Sequence, residues 1–106
     1  MALNKVLVQF KIKGNEDIDR LYAIEEMLVQ AFSQAHDGQV DGHDIGQDKF
    51  NIFIHPRQSW GPALDRVQAF LKLRGVLGDA VVVKFHGKSE RYEVVYPAKH
   101  DAEFAL

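Results

Sequence analysis

Cysteine is absent from the chain. That excludes disulfides, thiolate nucleophiles and cysteine-based zinc or iron–sulfur sites, and it suits a reducing compartment. An excess of either charge is missing as well. The formal net charge is −2 and the isoelectric point about 6.2, so bulk electrostatics point to neither a nucleic-acid nor a membrane binder. No apolar run approaches the ~20 residues of a membrane span. Met1 to Phe10 lacks the basic region and apolar core of a signal peptide. A cytoplasmic location is the expectation.

Familiar chemical motifs are missing too. There is no Gly-x-Gly-x-x-Gly and no His-Glu-x-x-His. Gly87-Lys88-Ser89 resembles the end of a phosphate loop. The glycine such a loop needs five residues earlier is Val82, and a strand precedes where no helix follows. Ser33, Ser59 and Ser89 are the only serines, and none sits in a nucleophile-elbow context. Nothing here assembles a catalytic constellation, and no cofactor is implied.

What is present is ordinary globular material. The chain has 106 residues, 46% hydrophobic and 26% charged, which fits one domain with one core. Its centre is Lys49-Phe50-Asn51-Ile52-Phe53-Ile54-His55-Pro56, which reads as a buried central strand ended by proline. Val6, Val8, Phe10 and Ile12 alternate with Leu7, Gln9, Lys11 and Lys13, a period of two that predicts another strand. Asn15 is the expected N-cap of a helix, with Glu16 and Asp17 at the positive end of its dipole. Ile18, Leu21, Ile24, Leu28, Phe32 and Ala35 then form one face of that helix, and Gly38 is its expected C-terminal cap.

Gln39 to Gly46 predicts a short, bulged edge strand, because Asp and Gly protect an edge from pairing with another chain. A second helix is expected from Ser59 to Pro62 onward, with Pro62 in its first turn. Trp60, Ala63, Leu64, Val67, Phe70 and Leu71 carry its spacing. Ala80 to His86 and Arg91 to Tyr96 complete the strands around a hairpin loop at Gly87-Lys88-Ser89-Glu90. Residues 98–106 read as a loose tail.

The order β-α-β-β-α-β-β is the split β-α-β pattern of an α+β, ferredoxin-like fold with an extra C-terminal strand. Right-handed crossovers would place both helices on one face of an antiparallel sheet. Parity then assigns Val6, Val8, Phe10, Phe50, Ile52, Ile54, Val81, Val83 and Phe85 to the covered face. The uncovered face receives Lys5, Leu7, Gln9, Lys11, Asn51, Phe53, His55, Val82, Lys84 and His86.

On that face Leu7, Phe53 and Val82 form an apolar patch ringed by Lys, His, Gln and Asn. A solvated antiparallel face is one reading. A protein interface with an apolar centre and polar rim is the second. A ligand or nucleic-acid platform is the third, although RNA-binding sheets place two or three aromatics here and only Phe53 qualifies. His55 and His86 would face the same way with a strand between them. They would lie roughly 10 Å apart, which is too far to share a metal ion.

His36, Asp37, Asp41, His43, Asp44 and Asp48 concentrate metal-capable groups in one segment. Asp37, Asp41, Gly42 and Asp48 fit positions one, five, six and twelve of a calcium loop. Gln39 at position three, no glutamate at twelve and a strand where a helix should follow all break the pattern. A transition-metal site from His43, Asp44 and another histidine is a further reading. Asp-Gly turn chemistry on an edge strand is the better account, and no metal is expected.

The run Val40-Asp41-Gly42-His43-Asp44-Ile45-Gly46, leading into Phe50-Asn51-Ile52-Phe53-Ile54, resembles a group of small bacterial proteins of unassigned function. They carry a similar Val-Asp-Gly-(His/Asn)-acidic-apolar-Gly run before a strand. The resemblance covers about twenty residues of this sequence and brings no activity with it. It marks Asp41, Gly42, His43, Asp44 and Gly46 as the segment to examine first.

Two functions follow as expectations. One is a non-enzymatic protein-interaction module that uses its open sheet face, as a homodimer or as a binder of another protein. The other is a ligand-binding or enzymatic domain of the same fold, with Asp41–Gly46 and His55 lining a pocket. Neither involves nucleic acid or membrane.

Overall fold

The computed structural model describes residues 4–57, 59–97, 104 and 106. The alternating residues of the N-terminal segment form β1 (Lys5–Lys11). It is followed by α1 (Asn15–Ala35), β2 (Gly38–Ile45), β3 (Lys49–Pro56), α2 (Trp60–Leu73), β4 (Ala80–His86) and β5 (Arg91–Tyr96). A single 3-10 turn, Leu77–Asp79, leads into β4. The fold is α+β: two helices and a five-stranded antiparallel sheet in the order β2-β3-β1-β4-β5. Among the described residues no helix is long and apolar enough to cross a membrane.

One core holds the chain together. Val6, Val8 and Phe10 of β1 lie opposite Ile54, Ile52 and Phe50 of β3, and all six are buried. Leu21, Ile24, Leu28 and Phe32 of α1, with Ala63, Leu64, Val67 and Leu71 of α2, close over them in the same cluster. The helical spacing of three and four puts these side chains on one face of each helix. A buried side chain of this size contributes about 1.5–3 kcal/mol relative to exposure.

The phase of β4 differs from expectation. Val82 lies opposite Val8, Lys84 opposite Val6, and Ala80 opposite Phe10. Directly opposite residues share a face, so Val82, Lys84 and His86 belong to the core side. Val81, Val83 and Phe85 lie opposite Gln9, Leu7 and Lys5 and belong to the second side. Val81-Val82-Val83 followed by Phe85 is an almost unbroken apolar run, and such a run has no period from which to choose a face. His55 and His86 consequently lie on opposite sides of the sheet.

The second side is not bare at its centre. Leu7 is 1% exposed and Val83 0%. The patch of Leu7, Phe53 and Val82 therefore does not exist as one surface. The expected loose tail lies mostly outside the described residues. Of those described there, Phe104 places its ring 5.1 Å from that of Tyr92, and Leu106 is exposed.

Both caps of α1 also differ from expectation. Gly14 is its N-cap and Asn15 its first residue. Its C-cap is His36, in the left-handed region at φ 62°, with its N–H donating to Phe32 O at 3.0 Å. Gly38 instead opens β2. A Cβ there would stand 2.9 Å from His55 O and 3.0 Å from the Phe32 ring, so close packing is what requires glycine.

Candidate functional site

β2 is the expected edge strand, eight residues long, with its register shifting between Val40 and Gly42. Asp41 is the extra residue of the bulge, and Gly42 takes a φ of 132° that side chains disfavour. The acidic and histidine groups of this segment disperse to separate partners. Asp37 accepts from Arg66 Nε at 2.7 Å. Asp41 Oδ2 lies 3.8 Å from Lys5 Nζ. His43 Nδ1 lies 2.8 Å from Glu25 Oε1. Asp44 is exposed opposite Asn51, and Gly46 N–H donates to Lys49 O in the turn. Among the described residues no three His, Asp or Glu side chains are grouped to hold a metal ion.

The two conspicuous histidines hold strands to their neighbours. His43 stacks on Phe50 at 5.0 Å and meets Tyr22 edge-on at 4.9 Å. With its bond to Glu25 it fixes β2 against α1. His86 tilts against Trp60 at 4.8 Å and bonds Glu93 Oε1 through Nε2 at 2.9 Å. Lys84 places its ammonium 5.3 Å from the centre of the Trp60 ring, within cation–π range. The His86 hydrogen bond, helped by the positive charge of Lys84, holds the Glu93 carboxyl below its ordinary value of 4.5.

The remaining expected site residues sit on the second side. Gln9 Nε2 donates to Asn51 Oδ1 at 2.9 Å, and both residues are buried. Lys5 holds its ammonium 5.4 Å from the Phe53 ring centre. Phe53 and His55 are half-buried. Gln9, Asn51, Phe53 and His55 thus share a side with Leu7, while Val82, Lys84 and His86 do not join them.

A concavity lies elsewhere, where the end of α1 and the start of α2 converge. β2 and β3 form a hairpin in which Gly38 pairs with Pro56. The residues just before Gly38 and just after Pro56 are therefore brought together. There His36, Asp37, Arg57, Ser59 and Pro62 line a cavity of about 580 Å³. A second cavity of about 420 Å³ shares His36 and Arg57 and continues along Val29, Phe32, Gly38 and Val40. Volumes of this order suit small molecules.

Each polar group in the first cavity has a structural reason to be there. His36 is placed by the helix stop. Arg57 N–H donates to Asp37 O at 3.2 Å, which joins the two chain junctions. Ser59 is the N-cap of α2, and its hydroxyl makes no capping bond. Asp37 is the cavity's acid, and Arg66 already engages it. Its other oxygen, Oδ1, is buried without a partner. Arg57 forms no ion pair among the described residues.

Neither the Asp41–Gly46 side chains nor His55 line this cavity. The sequence marked His36 and Asp37 only among metal-capable groups, and Arg57, Ser59, Pro62 and Arg66 not as site residues at all. The available signal was topological: in a β-α-β-β-α-β chain the central hairpin brings its two flanking junctions together. No protein-family model, curated protein or solved structure matches the chain.

Proposed function

We propose that this chain is a non-enzymatic binding module of ferredoxin-like arrangement that holds a small molecule between the end of α1 and the start of α2. The ferredoxin-like reading is supported by the order β2-β3-β1-β4, in which each helical connection passes over one strand. It is supported too by the shared core of the two helices. The observation that carries the functional reading is the pair of cavities joined at His36 and Arg57. Together they set His36, Asp37, Arg57 and Ser59 beside Pro62, Val29 and Val40, and a mixture of polar and apolar lining is what small-molecule sites use.

The test is to purify the protein from cells, extract it with organic solvent, and identify small molecules that accompany it. The Ser59→Trp variant is the comparison. Ser59 is exposed and makes no side-chain cap bond, so an indole at that position can obstruct the cavity at small cost to the fold. A compound that accompanies the wild-type protein and not the variant supports the reading. Identical extracts count against it.

Contact with another protein, or with a second copy of this chain, is the second reading. The observation favouring it is the flank of α1 and β2, where Tyr22, Val29 and Ile45 are exposed apolar side chains. The bulge in β2 discourages strand addition at that edge, so such contact would be made by side chains. Light scattering across a range of concentrations, on wild-type protein and Ile45→Lys, distinguishes a self-associating chain from a monomer.

A further inference from the structure

We infer that the ligand class of the joined cavities is an amphipathic monocarboxylate: a single anionic head on an apolar chain. This deepens the small-molecule reading above and rests on it. The head is set by charge. Arg57 carries a permanent positive charge, lines both cavities and forms no ion pair among the described residues. His36 supplies a ring N–H in either tautomer, and Ser59 supplies a hydroxyl.

Asp37 is the one acid among the described lining residues. Its carboxylate is already engaged by Arg66 at 2.7 Å, and its second oxygen is buried. A carboxylate is the planar anion that a guanidinium binds through two parallel hydrogen bonds.

The chain is set by the adjoining groove. Beyond His36 and Arg57 the wall includes Val29, Phe32 and Val40, with Ser33 and Gln39 beside them. A ligand whose head meets Arg57 has this wall directly beside it, and apolar carbon laid there leaves water. A compact dianion or an inorganic anion would leave the groove unused. A neutral apolar molecule would leave Arg57 without its partner. An amphipathic monocarboxylate uses both.

The test is a titration of the full chain, followed through backbone amide shifts. Straight-chain monocarboxylates from four to ten carbons are compared with the primary alcohols of equal length. The expected result is a shift of the His36, Gly38, Arg57 and Ser59 amides. Carboxylate affinity should rise about fourfold per added methylene until the groove is filled. The alcohol of equal length should bind at least about tenfold more weakly.

Arg57→Gln should bring carboxylate and alcohol close together while keeping the dependence on chain length. Val29→Asn should flatten that dependence while keeping the preference for carboxylate. Both positions are exposed, so both variants should fold. Carboxylates that bind no better than alcohols, or with no dependence on length, overturn the ligand class. If alcohols alone move these amides, the class falls and the small-molecule reading stands. If neither series moves them, the class is overturned as well, and the cavity reading is then judged by the extraction experiment.

Discussion

Arg66 Nε lies 2.7 Å from Asp37 Oδ2, joining the middle of α2 to the junction between α1 and β2. The bond spans 29 positions of sequence, and Asp37 lines the cavity. Asp37 is the more buried partner, at 18% side-chain exposure against 40% for Arg66. Removing the arginine leaves a carboxylate with one oxygen already unpartnered. Arg66→Met should therefore cost about 1–3 kcal/mol, the range for a buried polar group that loses its partner. Asp37→Asn should cost less, because the charge it leaves unpaired, on Arg66, is the more exposed of the two. Urea melts of the two variants, and of the double variant, would measure the coupling.

The phase of the central strands sets a second expectation. Ile52→Ala should cost about 2–5 kcal/mol, the range for large-to-alanine changes in a core, because Ile52 is fully buried in the core cluster. Phe53→Ala should cost clearly less, since its ring is half-buried. In β4, Val82→Ala should cost more than Val81→Ala. Denaturant melts showing the reverse order for Val81 and Val82 would contradict the register of β4 against β1.

Gly38→Ala should destabilise the fold by about 1–3 kcal/mol, as overpacking does. Its added Cβ would meet the backbone oxygen of His55 and the ring of Phe32, a core residue with little room to retreat. Gly61→Ala meets no atom within 4 Å and should be neutral or slightly stabilising. Comparing the two melts separates close packing from a general cost of losing glycine.

Glu93 gives a dependence on pH. Its carboxyl is held below 4.5 chiefly by the His86 hydrogen bond and then by the Lys84 charge. A depressed carboxyl binds a proton less readily folded than unfolded, so it adds stability that is present above the unfolded value. That stability is lost as pH falls below 4.5 and through the folded value. Glu93→Gln should be the less stable protein at neutral pH, and the gap should close in acid. Carbon-detected titration of Glu93 should show it returning toward its ordinary value in His86→Ala.

Much of the fold was legible because β1 and β3 alternate except at Leu7 and Phe53, and the helices keep their apolar spacing. Those patterns name Val6, Val8, Phe10, Ile52 and Leu28 as core without knowledge of the sheet. The bulged edge at Asp41–Gly42 was legible from its glycines and acids. The face chosen by β4 was not, because consecutive valines carry no phase. The roles of His43 and His86 were not legible either. Each is decided by a carboxylate on another element, Glu25 across eighteen positions and Glu93 across a hairpin. The cavity was hidden for a related reason. His36 and Arg57 are twenty-one positions apart in sequence (57 − 36), and only the pairing of Gly38 with Pro56 makes them neighbours.

The most direct measurement is a map of where small molecules touch the protein. A chemically diverse fragment set, added at millimolar concentration to isotope-labelled full-length chain, would be read through backbone amide shifts. The account predicts that the perturbed amides cluster at His36, Asp37, Gly38, Arg57 and Ser59, and that Ser59→Trp abolishes the cluster while the rest of the spectrum stays in place. Fragments that gather instead along Tyr22 and Ile45, or on the Phe53 side of the sheet, with the His36 and Arg57 amides unmoved, would contradict it.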